Sequence, residues 1–437
     1  MIQVKQRVKR PNARRFLLAG KSKKRYNKDS LIGAAMTPEK EEFCMHSFVY
    51  YSPTKVVFGK DTQKQAAKLA KEFGASRVMI VYGSGSVVRS GLLAEIEAIM
   101  AQEEIPCCTL GGVQPNPRTA LAREGAKQAV EFGADFILAV GGGSVIDTAK
   151  AIAHGAATPD VDLWEYWKGT KTVERSLPVG VVLTISAAGS ETSDSAVLTD
   201  EESGTKRGIN TPFNRPRFAI MNPELTYTLP RYQVACGVVD IMMHTMDRYF
   251  NPVKGNDLTD AFAEALLRTV MKYGVTAVNN PHDEQAMSEL MWCGSVSHNG
   301  LTGLGGLMDF CPHKLGHELS GRFDVAHGAS LSVMWGAWAK YSRSEHPERF
   351  AQFAKEVLGI SETDIERAGE MAIEEVVNYF RKLEMPTSFT ELGIGVQPEE
   401  VLQDMAMRAT RGDTIQLGSF RPLNAQRALE VYRLANH

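Results

Sequence analysis

Residues 136–150 read FILAVGGGSVIDTAK, and this stretch decides the fold predicted for the chain. Five apolar residues indicate a short buried strand, and three glycines and a serine separate it from a helical pattern over 145–154. Glycine backbone can approach a diphosphate closely, and the N-terminus of the following helix supplies free N–H groups and partial positive charge. A plain tight turn would explain one glycine, whereas three in succession followed by serine favour a phosphate-binding turn.

The same strand–turn–helix alternation runs through the first half of the chain. The pattern predicts strands at Val56–Phe58, Arg77–Tyr82, Cys107–Leu110, Phe136–Val140 and Val179–Ile185, and helices at Gln63–Phe73, Leu92–Gln102, Arg118–Phe132 and Val145–His154. Strands that alternate with helices form a parallel sheet covered on both faces. Ligands of such sheets bind beyond the carboxyl ends of the strands, where the glycine-rich turns are placed.

After Leu229-Pro230 the helical period dominates. It predicts helices at Val234–Phe250, Leu258–Tyr273, Glu284–Asn299, Pro312–Ser320, Leu331–Ser342, Pro347–Val357, Asp364–Leu383 and Pro398–Arg411. The predicted fold is therefore α/β. A Rossmann-like, parallel-sheet dinucleotide domain (45–229) precedes an all-α metal-binding domain (230–437), and a basic extension (1–44) comes before both.

The helical half carries a block of histidines with helical spacing. Asp240 and His244 are four residues apart, His313 and His317 repeat that step, and His327 follows near a turn suggested by Gly321, Asp324 and Gly328. Each histidine alone is explained by an ordinary core or surface role. Together, one carboxylate and several imidazoles favour a divalent cation such as Fe(II) or Zn(II).

Composition excludes several classes of protein. The net charge of −2 conceals twelve basic and four acidic residues in 1–44, which leave 37 basic against 47 acidic residues elsewhere. The folded part is therefore not expected to bind nucleic acid. For the basic segment 1–44, the favoured interpretation is an inert leader, and Met45 is then a candidate for the first residue of the protein. A basic arm for an anionic partner and a transit peptide are the alternatives.

The composition also indicates where the protein works. Its apolar runs are too short to span a membrane. Its six cysteines show no disulfide pattern, which favours the cytoplasm.

Two segments of the helical half carry a resemblance to a known family. GVVDIMMHTMDRYF (237–250) and CPHKLGHELSGRFDVAHG (311–328) resemble the signatures of the iron-containing (group III) alcohol dehydrogenases, in the branch of butanol dehydrogenases and broad-specificity aldehyde reductases. The resemblance implies a metal held by Asp240, His244, His313 and His327, with His317 beside it. It implies Fe(II), with Zn(II) as the alternative, and a homodimer.

The resemblance also assigns cofactor contacts. GGGSVIDTAK is similar to the family's pyrophosphate motif, which implies cofactor contacts at Gly142, Gly143, Ser144 and Asp147. The Gly83-Ser84 turn lacks the aspartate common in NAD-selective relatives, so NADP(H) is expected, with NAD(H) as the alternative and Arg89 as a candidate phosphate neighbour. Nearer the nicotinamide the candidates are Thr184, Ser190 and Lys206, while Ala188 replaces a usual threonine. For Lys206, a solvated turn residue is the alternative.

These features predict hydride transfer between a nicotinamide and a short-chain aldehyde or primary alcohol similar to butanal and butanol. A metal would stabilise the alkoxide, and His317 is the candidate catalytic residue for moving the proton, with simple packing as its alternative role. Glycerol dehydrogenase and a sugar-phosphate cyclase of the dehydroquinate synthase type are the rival functions. The chain's set of one aspartate and three histidines differs from the metal sites of both rival families.

Overall fold

The computed structural model describes residues 46–437. The basic segment 1–44, predicted to be disordered, and Met45 lie outside the described residues. The strands are β1 (Lys55–Phe58), β2 (Val78–Gly83), β3 (Cys107–Val113), β4 (Phe136–Gly141), β5 (Val179–Leu183), β6 (Ser195–Asp200), β7 (Thr205–Asn210) and β8 (Phe218–Met221). Six of them form one sheet in the order β1-β8-β5-β4-β2-β3, and β6 and β7 form a hairpin.

All the strand pairs of the six-stranded sheet are parallel, as predicted. The central strands are apolar along their length because both faces are covered. Along β2, Val78 and Ile80 pack into the core on one face, whereas Met79 and Val81 pack into the core on the other. Successive side chains of a strand point to opposite faces of the sheet, so that β2 packs against a layer of helices on each face.

Helices of the first half cover this sheet. They are α1 (Ala66–Glu72), α2 (Ser86–Arg89), α3 (Leu92–Gln102), α4 (Thr119–Phe132), α5 (Gly143–Ala157) and α6 (Trp164–Lys168). Strand β8, the β6–β7 hairpin and helices α2 and α6 were absent from the prediction. Strand β3 also continues three residues beyond Leu110, through two glycines to Val113.

In the second half, the regular elements of the described residues are all helices, and one isolated bridge joins Leu417 and Leu423. Its helices are α7 (Arg231–Tyr249), α8 (Asp257–Asn279), α9 (Glu284–His298), α10 (Cys311–Phe323), α11 (His327–Ser342), α12 (Pro347–Glu356), α13 (Ile365–Lys382), α14 (Glu399–Ala409) and α15 (Ala425–Ala435). They enclose a separate hydrophobic core. An N-terminal α/β domain and a C-terminal all-helical domain are thus confirmed, while the division at 229/230 stays a prediction. Between residues 46 and 437, no helix combines the length and the apolar character that crossing a bilayer requires.

The two halves meet in part through direct backbone contact. A Cβ atom at Gly237 of α7 would lie 2.2 Å from the carbonyl oxygen of Ser186, and one at Gly189 would lie 2.4 Å from that of Gly294. Only glycine allows these approaches. The loop that leaves the carboxyl end of β5 is therefore pressed directly against α7 and α9.

Candidate metal centre and cofactor cleft

The predicted metal ligands meet around one carboxylate oxygen. Asp240 Oδ1 lies 3.4 Å from His244 Nε2, 3.8 Å from His313 Nε2 and 3.9 Å from His327 Nε2. Asp240 and His244 are one turn apart on α7, and His313 belongs to α10. The predicted turn occupies residues 324–326, so that His327 is the first residue of α11.

The residues present fit a bound cation. Asp240 Oδ1 and His313 Nε2 are buried and make no hydrogen bond within the described chain. Leaving such atoms unpaired is costly, and a divalent ion would satisfy them together. Atoms of Asp240, His313 and His327 all lie within 4.8 Å of one another, and the 3.4 Å contact adds His244 as a fourth donor.

The protonation of the imidazoles suits this role. Burial, together with neighbouring positive groups, holds the pKa of His244 and of His327 well below its usual value. Both rings are therefore neutral near pH 7 and keep a nitrogen lone pair free. Burial lowers the pKa of His313, but the carboxylates of Asp247 and Asp240 outweigh burial and raise it. One carboxylate and three imidazole nitrogens are a donor set that suits Fe(II) or Zn(II).

A second carboxylate, which the sequence analysis missed, orients one of these rings. His313 Nδ1 makes a short hydrogen bond to Oδ2 of Asp247, whose side chain is 1% exposed. A proton held on Nδ1 by this carboxylate leaves Nε2 as the free lone pair, facing Asp240. The seven-residue step from Asp240 to Asp247, two helical turns, was the available signal.

We expect Asp247→Asn to weaken metal binding by about 10- to 100-fold, the usual cost of losing an outer carboxylate. The amide oxygen of asparagine can still accept a hydrogen bond from His313 Nδ1–H. The substitution therefore removes the negative charge and nearly keeps the shape of the side chain. Competition with a chromogenic zinc chelator measures the affinity, with the exposed Asp257→Asn as the control. An affinity equal to that of the control would show that Asp247 does not tune the site.

Two further histidines border the cluster. The His317 ring lies 5.3 Å from that of His327 and 6.4 Å from that of His313, beside the four predicted ligands and outside their common point. His298, absent from the sequence analysis, stacks on His244 at 4.0 Å. Its Nδ1 lies 2.6 Å from the carbonyl oxygen of Ala188, so this ring connects the β5 loop to a candidate ligand.

The predicted cofactor residues lie on neighbouring strands. Strands β2, β4 and β5 are adjacent, so that Gly83-Ser84, Gly142-Gly143 and Thr184 share the carboxyl edge of the sheet. Added Cβ atoms at Gly141 and Gly142 would lie 2.5 Å from Val145 and 3.0 Å from Ile185, whereas one at Gly143 would meet only Ala188, at 3.8 Å. Packing thus requires glycine at 141, and a side chain at 142 would have to displace Ile185 slightly. Gly143 and Ser144 leave the start of α5 open to a ligand.

Asp147 and Ser190 are joined to each other. Ser190 Oγ donates to Asp147 Oδ1 at 2.6 Å, and the Val197 amide donates to Asp147 Oδ2 at 2.9 Å. The buried Lys150 ammonium donates to the Ser190 carbonyl and hydroxyl, both at 2.8 Å. Helix α5 therefore fixes the loop after β5, and the cofactor contacts of Asp147 and Ser190 stay predictions.

Lys206 is not the solvated turn residue of the alternative interpretation. It lies on β7, partly buried, and its Nζ donates to Asn116 Oδ1 at 3.0 Å. Burial lowers its pKa to about 8, opposed by the carboxylates of Asp240 and Asp147. Lys206 is therefore a largely buried cation influenced by carboxylates of both the metal cluster and helix α5, and its cofactor contact stays a prediction.

Comparisons with known proteins agree with this geometry. Residues 53–223 match the model of the iron-containing alcohol dehydrogenases, and residues 234–436 match that of the C-terminal part of the same family. The NADH-dependent butanol dehydrogenase A of Clostridium acetobutylicum is 38% identical over 89% of this chain and 99% of its own length. The NADPH-dependent aldehyde reductase YqhD of Escherichia coli is 33% identical over 80% and 90%.

A solved structure has the same architecture. The NADH-dependent butanol dehydrogenase A of Thermotoga maritima superposes with a TM-score of 0.86 at 31% identity, covering 90% of this chain and 99% of the other. Family models thus span nearly all the described residues, and relatives above 30% identity align over almost their full length. The chain therefore belongs to the iron-containing alcohol dehydrogenase family and is an NAD(P)-dependent alcohol dehydrogenase.

Proposed function

We propose that the protein reduces short-chain aldehydes to primary alcohols, with butanal as a suitable test substrate. The observation that carries this proposal is the convergence of three Nε2 atoms on Asp240 Oδ1, close to the loop that leaves the carboxyl edge of the sheet. When bound, a divalent cation supplies a Lewis acid for the carbonyl oxygen and NAD(P)H supplies the hydride. The names of two relatives, a butanol dehydrogenase and an aldehyde reductase, support this substrate class.

The residues of the chain have distinct proposed roles. Asp240, His244, His313 and His327 hold the cation, while Gly142, Gly143 and Ser144 receive the cofactor diphosphate at the start of α5. Asp147 contacts the cofactor as part of the same pyrophosphate motif, and Gly83 and Ser84 contact it from the neighbouring turn. Thr184, Ser190 and Lys206 position the nicotinamide half. His317 moves a proton to the product oxygen.

The deciding experiment is oxidation of NADPH or NADH by purified protein with butanal, before and after chelation. Loss of turnover after chelation and its return on adding Fe(II) or Zn(II) are expected. Equal oxidation in both samples would reject a catalytic metal. No oxidation with either cofactor and added metal would reject the proposed function.

We propose NADPH as the preferred cofactor, because the turn at Gly83-Ser84 carries no carboxylate to repel a 2′-phosphate. The relatives named above include both NADH- and NADPH-dependent enzymes. A Cβ atom added at Gly83 would meet only Val113 O at 3.6 Å and Val145 Cγ2 at 3.8 Å, which are ordinary contact distances. Position 83 can therefore test the preference without disturbing the sheet.

We expect Gly83→Asp to lower the NADPH-to-NADH ratio of kcat/KM by about 100-fold, since like charges placed together cost several kcal/mol. The matched control is Gly83→Asn, which has nearly the same shape and no charge. Steady-state kinetics with both cofactors measures the ratio. An equal shift in the two variants would assign the effect to size and would remove the argument for NADPH.

We further propose a homodimer that works in the cytoplasm. Aromatic side chains of Phe48, Tyr50 and Tyr51 are exposed just before the edge strand β1, which supports a self-association surface. The described cysteines are all free, which supports a reducing compartment. Light scattering of the purified chain tests the first statement, and cell fractionation tests the second.

A further inference from the structure

One of the candidate metal ligands has no hydrogen bond to fix its ring. His244 Nε2 faces Asp240, and its other ring nitrogen, Nδ1, is buried without a hydrogen-bond partner among the described residues. Metal-binding histidines almost always donate this second N–H to a carboxylate, a carbonyl or a water, which sets the orientation of the ring. His313 has such a partner in Asp247. The orientation of the His244 ring must therefore come from packing.

A second imidazole supplies much of that packing. His298, the last residue of α9, stacks on His244 with the ring centroids 4.0 Å apart and the ring planes at 28°. The His313 ring, itself a candidate ligand, lies at 4.4 Å and is tilted by 40°, and the Phe310 ring meets His244 edge-on at 6.1 Å. Among these rings, His298 is the nearest and the most nearly parallel to His244.

The loop after β5 fixes the His298 ring in turn. The Nδ1 atom of His298 lies 2.6 Å from the carbonyl oxygen of Ala188. A carbonyl oxygen can only accept a hydrogen bond, so Nδ1 carries a proton and donates it. His298 is 9% exposed, and water therefore competes little for this bond. The orientation of the ring thus depends on the position of Ala188.

Ala188 lies beside the proposed site of the cofactor diphosphate. A Cβ atom added at Gly143, in the first turn of α5, would lie 3.8 Å from the Cβ atom of Ala188. On its other side the loop packs on α9, since a Cβ atom at Gly189 would lie 2.4 Å from Gly294 O and 2.8 Å from His298 Cβ. A change in the position or order of this loop on cofactor binding therefore reaches His298 directly.

We propose that His298 is a positioning residue that couples the metal site to the cofactor loop. When His244 holds a metal, its ring, the stacked His298 ring and the hydrogen bond to Ala188 are fixed together. The loop is then ordered before NAD(P)H arrives, so that cofactor binding costs less conformational entropy. Because such a coupling is reciprocal, bound cofactor tightens metal binding by the same factor. This inference rests on the proposed metal and cofactor sites and adds a link between them.

The test measures the dissociation constant of NADPH for the whole chain by fluorescence titration, metal-free and saturated with Zn(II). NADH replaces NADPH if it binds more tightly. We expect zinc to lower this constant by about tenfold in the wild type, which is within the usual range of such couplings. Competition with a chromogenic chelator, with and without saturating NADPH, should give the same factor for zinc. The exposed His282→Phe is the matched control and should keep the factor.

Two substitutions separate the two contacts of His298. His298→Phe keeps a ring that can stack on His244 and removes the donor to Ala188. We expect it to retain the zinc affinity of the wild type and to lose the effect of zinc on NADPH binding. His298→Asn keeps an N–H donor close to the place of Nδ1 and removes the ring. We expect its zinc affinity to fall by about tenfold, the lower end of the usual effect of losing a residue that orients a ligand, and the coupling to be lost as well.

The outcomes distinguish this coupling from the sites themselves. An equal NADPH constant with and without zinc in the wild type, or an unchanged factor in both variants, would overturn the coupling and leave the proposed sites intact. Weaker NADPH binding by both metal-free variants, with a lower unfolding temperature, would make His298 a structural residue and would overturn its positioning role. Failure of the wild type to bind zinc or either cofactor would overturn the proposed sites and this inference with them.

Discussion

Asp240→Ala is expected to lower kcat/KM for butanal reduction by at least about 1,000-fold, because Lewis-acid stabilisation of the alkoxide is worth several kcal/mol. Asp240 supplies the only carboxylate among the four predicted ligands, and its Oδ1 lies within 4 Å of all three Nε2 atoms. Removing it leaves three imidazoles without the carboxylate charge that offsets a divalent ion. Metal content of the purified variant and steady-state kinetics measure the two consequences.

The control for this substitution is His346→Ala. His346 is a partly buried histidine beside Phe420, at the start of α12, and is not one of the residues of the cluster. It should retain the metal and nearly all the activity. An Asp240→Ala protein that keeps stoichiometric metal and wild-type kcat/KM would show that the cluster does not hold the catalytic ion.

Sequence patterns located the central part of the sheet because the signal there is local. In 136–150 an apolar strand, a glycine turn and a helical pattern follow each other directly, and β4 and α5 are found within three residues of the predicted limits. Strand β8 has only four residues between Pro216 and Pro223, too few to show any period. It is recognisable only from its pairing with β1 and β5.

The candidate site was predictable as two pairs, Asp240 with His244 and His313 with His317, because helical spacing is visible in a sequence. Spacing does not say that the pairs face each other, or which member of the second pair points at Asp240. The hydrogen bond between His313 Nδ1 and Asp247 determines that His313, and not His317, faces Asp240. It joins residues 66 positions apart, a separation that no local pattern reports.

Burial of charge was the other feature that sequence could not supply. The β6–β7 hairpin interrupts its apolar residues with acidic and basic ones, so its pattern suggests a solvated loop. Packing of the hairpin beside α5 and α10 instead places Lys206 close to Asp147 and Asp240. The burial of Arg248 was equally invisible in the sequence, because Phe310 and Gly303, which pack against it, come from distant segments of the chain.

His317→Gln is expected to lower kcat for butanal reduction by about 100-fold while leaving the metal content unchanged. Positioned proton transfer typically contributes about 100- to 10,000-fold, and water can replace part of it near a cation. The His317 ring lies 5.3 Å from the His327 ring, close enough for a water-mediated proton path and outside the common point of the predicted ligands. Kinetics in H₂O and D₂O, with metal analysis of the same samples, provide the measurement.

The exposed His282→Gln serves as the matched control and should behave as the wild type. Loss of metal in His317→Gln would instead make His317 part of the metal-binding set. A kcat within threefold of the wild type, with an unchanged solvent isotope effect, would favour its alternative role as a packing residue on α10. Because α10 carries both His313 and His317, separating metal content from kcat distinguishes damage to the helix from loss of the proton path.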